Sequence, residues 1–292
     1  MTSHVTVGVD GSPEGLAAAE WAADEALLRK VPLCLVNSDE WPMSAAVPVA
    51  GPTEQLRWVD RMLDEAADDL RRRRPTLEIT TRRLCGRPAA ALSVEAGRAD
   101  MLVLGSRGLS GFTGFLIGSV GVATIGATEQ PVVLVRAPRQ PDEPPPVHTG
   151  HYRDLVVGVD IHQSCDKLLA FAFDEAARRD CALQAVYAWK VAPLLRYAPN
   201  ADPGIEREIA RQVAGALGDL LTPWRERFPS VKAVERTLIG APAQQLVESA
   251  ADADLVVVGR RIRRTPLGAH IGPVAHGVMH HCAAPIAVVA HD

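Results

Sequence analysis

Two features of this sequence could do chemistry together. One is Asp10, which stands in "VGVDGS" at the end of a short β-branched run. The other is the stretch Val103–Ser119, "VLGSRGLSGFTGFLIGS", with glycines at 105, 108, 111, 114 and 118. Glycine is useful where backbone must turn sharply or let a ligand approach closely. A glycine-rich segment between a strand and a helix can fold its amides into a concave nest. A helix opening at Ser119 adds a hydroxyl for capping, free N–H groups and the positive end of its dipole. Such a group binds an anion without a lysine, while the Asp10 carboxylate would accept hydrogen bonds from ribose hydroxyls. Together they describe a nucleotide. Alone, each half has a plainer reading: the loop as a tight connection, Asp10 as a turn or helix-cap residue. Neither G-x-x-x-x-G-K-[ST] nor a G-x-G-x-x-G after the first strand is present.

The two features meet only if the surrounding elements bring them together. Val5–Asp10 reads as a strand, 13–30 as a helix, 31–37 as a strand, 53–74 as an amphipathic helix and 76–84 as an alternating strand. A short helix over 88–98, a strand over 100–105, a helix over 119–129 and a strand over 131–135 follow. Strands 1, 4 and 5 are continuous apolar runs, as expected where helices cover both faces of a sheet. Strands alternating with helices imply right-handed crossovers and a doubly wound α/β sheet. In such sheets ligands bind beyond the carboxyl ends of the strands, where the strand order reverses. Asp10 and Gly105 both lie at carboxyl ends, so adjacent strands 1 and 4 would make them face one crevice.

The pattern occurs twice. Residues 4–41 match 154–190, "GRPAAAL" from Gly86 answers "GAPAQQL" from Gly240, and "ADMLVLGSRG" from Ala99 answers "ADLVVVGRRI" from Ala253. The offset is 150 residues at Asp10/Asp160 and 154 at Gly105/Gly259. The expected organisation is a first domain over 1–138, a proline-rich linker over 139–152 and a second domain over 153–292.

Composition narrows the function classes. A formal net charge of −4 on 292 residues argues against a general nucleic-acid binder. The "DLRRRRP" run at 69–75 ends a helix, where cations suit the dipole. The apolar runs are too short and interrupted to span a bilayer, and the N-terminus lacks a signal-peptide pattern, so the expected location is the cytoplasm. Five scattered cysteines (Cys34, Cys85, Cys165, Cys181 and Cys282) fit reduced thiols better than disulfides or a zinc site, with Cys85 and Cys165 as candidates for oxidation. His280 and His281 are adjacent in a helix, point in different directions and make a poor metal pair, so no metal site is expected.

The spacing Gly105-x-x-Gly108-(nine residues)-Gly118-Ser119 resembles the ATP-binding signature of the universal stress protein family. The "VGVDGS" start, the "GRPA" before the third helix and the "PVVLV" ending agree, in order and twice along the chain. The resemblance implies an ATP-binding, tandem α/β protein with five parallel strands per domain in the order 3-2-1-4-5. It implies that Gly8, Asp10 and the backbone of Val36 hold the nucleoside. Gly105, Ser106, Arg107, Gly108, Gly118, Ser119 and Val120 would surround the phosphates, with Mg²⁺ as an optional companion and Arg107 as the side chain on phosphate. The resemblance and the edge position of the fifth strands both point to pairing through "PVVLV" and "PIAVV", between domains or between subunits.

The second copy departs from the pattern. Gly259 and Gly272 keep their separation, but the middle glycine has become Ile262 and the serine Pro273. Ile resists positive φ, and Pro273 offers neither N–H nor hydroxyl to a phosphate. Arg260, Arg261, Arg263 and Arg264 add cations that would either clasp phosphate or form a solvated basic loop. Gly158, Asp160 and Val186 remain for a nucleoside, with Val274 following the helix start, and the sequence leaves this second site open. Three functional classes stay in view. These are a nucleotide-dependent regulatory module in stress or dormancy, a slow ATPase or nucleotidyl transferase at the same loop, and a nucleotide-free scaffold. No carboxylate beside the motif resembles a dedicated Mg²⁺ ligand or water-positioning base, which weighs against the enzyme.

Overall fold

The structure, a computed structural model, describes residues 3–38, 52–108, 115–116, 118–137, 152–190, 203–262 and 271–292. The chain divides into two compact units, Met1–Val147 and His148–Asp292, one for each sequence repeat. The expected linker lies outside the described residues, Tyr152 excepted.

In the first unit the chain runs β1 (Val5–Gly8), α1 (Pro13–Arg29), β2 (Leu33–Ser38), α2 (Pro52–Arg73), β3 (Ile79–Leu84) and α3 (Pro88–Ala96). It continues through β4 (Met101–Gly108), β5 (Phe115–Leu116), α4 (Ser119–Ala127) and β6 (Val132–Arg136). The sheet order is β3-β2-β1-β4-β6, every pair parallel. This is the expected 3-2-1-4-5 order once β5 is set aside. β5 is an addition: Leu116 and Phe115 pair antiparallel with Arg107 and Gly108. β4 therefore runs three residues past Gly105, where an apolar-pattern reading ends it, because β5 supplies hydrogen-bond partners to that polar extension.

Local chemistry explains the elements. Val5, Val7, Leu33, Leu35, Met101–Leu104 and Val132–Val135 are buried, and such β-branched and aliphatic residues fill a sheet covered on both faces. α1 begins where the Ser12 hydroxyl accepts the Gly15 N–H at 3.0 Å with Pro13 in its first turn, and it closes on Lys30 at φ 57°. α2 buries Val59, Leu63, Ala67 and Leu70, spaced as one helical face. The arginine run at its end is neutralised: Arg71 pairs with Asp68, Arg72 and Arg73 with Asp69, and Arg74 with Glu20 and Asp24.

The second unit runs β7 (Leu155–Gly158), α5 (Asp166–Arg179), β8 (Leu183–Trp189), α6 (Pro203–Arg227), β9 (Ala233–Ile239), α7 (Pro242–Ser249), β10 (Leu255–Arg261), α8 (Pro273–His281) and β11 (Ile286–His291). Its order is β9-β8-β7-β10-β11, again parallel. Small devices recur at matched positions. Arg71 donates to the Ile79 carbonyl at 2.8 Å and Arg225 to the Ala233 carbonyl at 3.0 Å. Glu25–Arg29 and Glu175–Arg179 are both i,i+4 pairs with buried carboxylates. One difference bears on the site: α1 starts three residues after Asp10, whereas α5 starts six after Asp160. Among the described residues no helix is long and apolar enough to cross a membrane.

Candidate functional site

β1 and β4 are parallel neighbours with Gly8 opposite Leu104, so their carboxyl ends lie side by side. β2 flanks β1 on the other side, which makes this the point where the strand order turns back. The backbone leaving β1 is held firmly. The Val9 N–H donates to the Val36 carbonyl at 2.8 Å, and the buried Asn37 amide donates to the Val9 carbonyl at 2.7 Å. Val36 thus serves as the anchor of the segment that carries Asp10 outward.

Asp10 is exposed, and one of its oxygens is committed locally. Oδ1 accepts the Ser12 N–H at 3.0 Å and the Ser12 hydroxyl, which itself caps α1. Gly15 makes this arrangement fit, since a Cβ there would stand 2.6 Å from Asp10 Oδ1. The carboxylate consequently rests on the first turn of α1, where the helix dipole favours negative charge. The turn reading of Asp10 is the one seen here, built through Oδ1.

The glycines of the candidate phosphate segment divide into two kinds. Gly105 is a packing glycine: a Cβ would lie 2.5 Å from the Glu14 carbonyl carbon, 2.6 Å from its oxygen and 2.7 Å from the Gly15 nitrogen. The first turn of α1 sits directly on β4 there. Gly8 is crowded more softly, by the Leu104 Cδ2 at 2.8 Å. Gly118 is the opposite case. Its φ of −59° suits any residue, and a Cβ there would meet nothing within 4 Å. It is the N-cap of α4, with no side-chain hydrogen bond capping the helix. Ser119 is therefore the first helical residue and not the cap, and it is exposed together with Val120. The result, among the described residues, is a helix start whose first amides receive no side-chain cap from the N-cap residue.

Other sequence candidates fall differently. Ser106 is buried, and its hydroxyl accepts a hydrogen bond from the Arg136 guanidinium across the β4–β6 pair. Ser106 is therefore engaged inside the fold, because β4 continues through it and points its side chain inward. Arg107 and Gly108 stand in β4 opposite β5. The rest of the motif, residues 109–114 and 117, lies outside the described residues.

In the second unit, Gly158 and Asp160 occupy the places of Gly8 and Asp10. The Val159 N–H donates to the Val186 carbonyl at 3.0 Å, and Asp160 Oδ1 accepts the His162 N–H at 3.0 Å. The packing against the end of β10 is remodelled. The His291 ring stands where a Cβ on Gly259 would be, with Nε2 at 2.5 Å, and its Nδ1 meets the Ser164 carbonyl at 3.2 Å. With α5 starting late, the ring fills space that the α1 backbone fills in the first unit. Arg260, expected as a phosphate-clasping cation, is only 4% exposed, since β10 extends to Arg261 and turns that side chain inward. Arg261 is exposed, and Gly272 caps α8 with Pro273 in its first turn, followed by Val274. Arg263 and Arg264 lie outside the described residues. Tyr187 takes the place of Asn37; burial, helped by the Asp160 charge, raises its pKa, and the His162 ring packs against its edge at 6.2 Å.

Sequence reasoning missed Trp58. This α2 residue is 49% exposed, yet its Cη2 and Cζ2 lie 3.6 and 3.7 Å from where a Cβ on Gly11 would be, beside Asp10. Helical periodicity marks Trp58 only as a non-core position, and nothing in the sequence links it to a loop some forty-seven residues earlier. All five cysteines are free, with only Cys85 exposed. Burial raises the Cys34 pKa and lifts Cys165 and Cys181 to about 11, which removes Cys165 as a reactive thiol.

The chain matches the Universal stress protein family over residues 1–136 and 151–290. It is 32% identical over 298 residues to the universal stress protein Rv2623 of Mycobacterium tuberculosis, covering 97% of this chain and 95% of that one. It is 30% identical over 299 residues to Rv2005c of the same species, covering 97% and 96%. Its fold is similar, over all of both chains, to that of a universal stress protein from Archaeoglobus fulgidus, with a TM-score of 0.72 at 14% identity. This chain belongs to the universal stress protein family and carries two of its domains in tandem.

Proposed function

We propose that the first domain binds an adenine nucleotide, ATP with or without Mg²⁺, and that the bound state alters the surface offered to a protein partner. The observation that carries this reading is the uncrowded Gly118 at the open start of α4, in the connection that follows β4, with the Asp10 carboxylate just past the end of the neighbouring β1. Among the described residues nothing crowds a side chain at 118, and that room suits a ligand. The α4 amides from Ser119 onward would donate to phosphate, and Asp10 Oδ2 would accept a ribose hydroxyl. Arg107 joins them in this reading through its place in β4. Among the described residues no group of three histidine, cysteine or acidic side chains is arranged for a metal, so Mg²⁺ would arrive bound to phosphate.

The second domain, in the same reading, takes no nucleotide in this manner, because Pro273 removes an amide donor from the start of α8 and Ile262 replaces the middle glycine of the segment. Domain limits of 1–138 and 153–292, a cytoplasmic location, a regulatory role in stress or dormancy, and pairing through β6 and β11 complete the proposal. The test is to denature purified full-length protein, identify released nucleotide by mass spectrometry and count moles per chain. One ATP per chain, lost in Gly118→Ala, is the expected result. Absence of nucleotide together with no binding on titration with ATP and Mg²⁺ overturns the reading. Two per chain overturns its second half.

A further inference from the structure

The two copies differ on the helix that follows the candidate phosphate segment. α4 and α8 correspond residue for residue, nine residues each at an offset of 154. In α4 the positions one turn apart are Val122 and Gly126, whereas in α8 they are His276 and His280. Residues four apart on a helix share a face, so the substitution puts two imidazoles side by side. Their ring centroids are 4.4 Å apart with planes tilted by 41°. Ala275, Val278 and Met279 turn into the unit, and Gly277 backs onto Ala243 of α7. The histidines are left on the outer side, His276 exposed and His280 half-buried.

We propose that His276 and His280 form a binding site for a late first-row transition-metal ion such as Zn²⁺, in the domain whose phosphate segment has diverged. The geometry supports it. With metal–nitrogen bonds of about 2.1 Å and a tetrahedral angle, two imidazoles on one ion have centroids roughly 5.2 Å apart, so the pair at 4.4 Å needs to open by only about 0.8 Å through side-chain rotation. Paired histidines at i and i+4 on one helix face are a proven way to hold Zn²⁺ through neutral imidazoles. Imidazole suits zinc and copper better than magnesium or calcium. Two protein ligands leave the other positions to water or to a partner's side chain. His281 lies round the helix from the pair and takes no part. This site stands apart from the nucleotide reading, which concerns the first domain.

The test is isothermal titration of the tag-free full chain with Zn²⁺, comparing wild type with His276→Ala, His280→Ala and His281→Ala. One equivalent should weaken roughly 10²-fold in either of the first two variants, since each converts a chelate into a single ligand, and should persist in the third. Unchanged circular dichroism confirms that each variant folds. A variant-free readout is the imidazole ¹H–¹⁵N spectrum, in which two histidines should shift together at the first equivalent. Equal Zn²⁺ uptake by wild type and His276→Ala, loss of the same equivalent in His281→Ala, or an unchanged imidazole spectrum would each overturn the site.

Discussion

Replacing Gly105 and Gly118 by alanine, one at a time, should separate packing from binding within a single sequence motif. At Gly105 the new methyl would stand 2.5–2.7 Å from three backbone atoms of α1's first turn. Backbone cannot swing aside as a side chain can, so α1 or β4 must shift. Overpacking of this kind costs about 1–3 kcal/mol, with the upper part of that range expected here. For a chain of this size, that lowers the first thermal transition by roughly 4–10 °C. At Gly118 the methyl meets nothing within 4 Å, and φ −59° is ordinary for alanine. Alanine is a poorer N-cap than glycine but loses less backbone entropy on folding, so these effects offset to within about 0.5 kcal/mol. Its methyl nevertheless enters the space where phosphate would approach α4, and ATP affinity should fall at least tenfold, or about 1.4 kcal/mol. Differential scanning calorimetry and ATP titration on both variants provide the check. A Gly105→Ala protein as stable as wild type, or a Gly118→Ala protein that binds ATP equally well, would refute the division.

Asp10→Asn should keep the turn, because a carboxamide oxygen still accepts from the Ser12 amide and hydroxyl, while weakening ATP about tenfold by removing a charged acceptor. Calorimetric titration beside a thermal melt distinguishes this from a folding defect, and undiminished ATP affinity would count against Asp10 as a ligand. Emission from Trp58 should change on adding ATP, since its ring lies over Gly11 beside Asp10, and the response should vanish in Trp58→Phe. Persistence of the full response in that variant would place the reporter elsewhere. In native protein, Cys85 should react first with a thiol reagent, and the buried Cys34, Cys165 and Cys282 only on unfolding. The raised Cys165 pKa also sets a pH dependence. Its ordinary value is 9.0 and its folded value about 11, so between these the unfolded chain loses a proton that the folded one keeps. Stability is therefore whole below pH 9 and declines toward pH 11, by on the order of 2 kcal/mol from this group. Chemical denaturation at pH 8, 9, 10 and 11 should show Cys165→Ala losing less than wild type.

Much of the molecule was legible in the linear chain because its signals are local or repeated. The apolar runs of β1, β4 and β6, the Ser12-Pro13 start of α1 and the alternation of strand and helix follow from short-range sterics and hydrophobic period. The duplication, read twice at nearly constant offset, made the two-domain organisation accessible, while the strand order came from the family resemblance of the motifs. Asp10 and the glycine segment could be singled out as partners because doubly wound sheets place ligands at carboxyl ends.

What each of those residues does was decided in three dimensions. Gly105 and Gly118 are the same letter in one motif, but only the packed structure shows α1 pressed against the first and empty space at the second. Ser106 and Arg260 read as polar loop residues, yet strand extension at β4 and β10 turns both inward, Ser106 onto Arg136. The His291 ring over Gly259, the Trp58 ring over Gly11 and the outer position of the His276–His280 pair depend on where helices and strand ends come to rest. Sequence determines which segments have the composition to form an element and bury a face. Contacts between elements far apart in the chain depend on packing at ångström precision, and no local pattern encodes that.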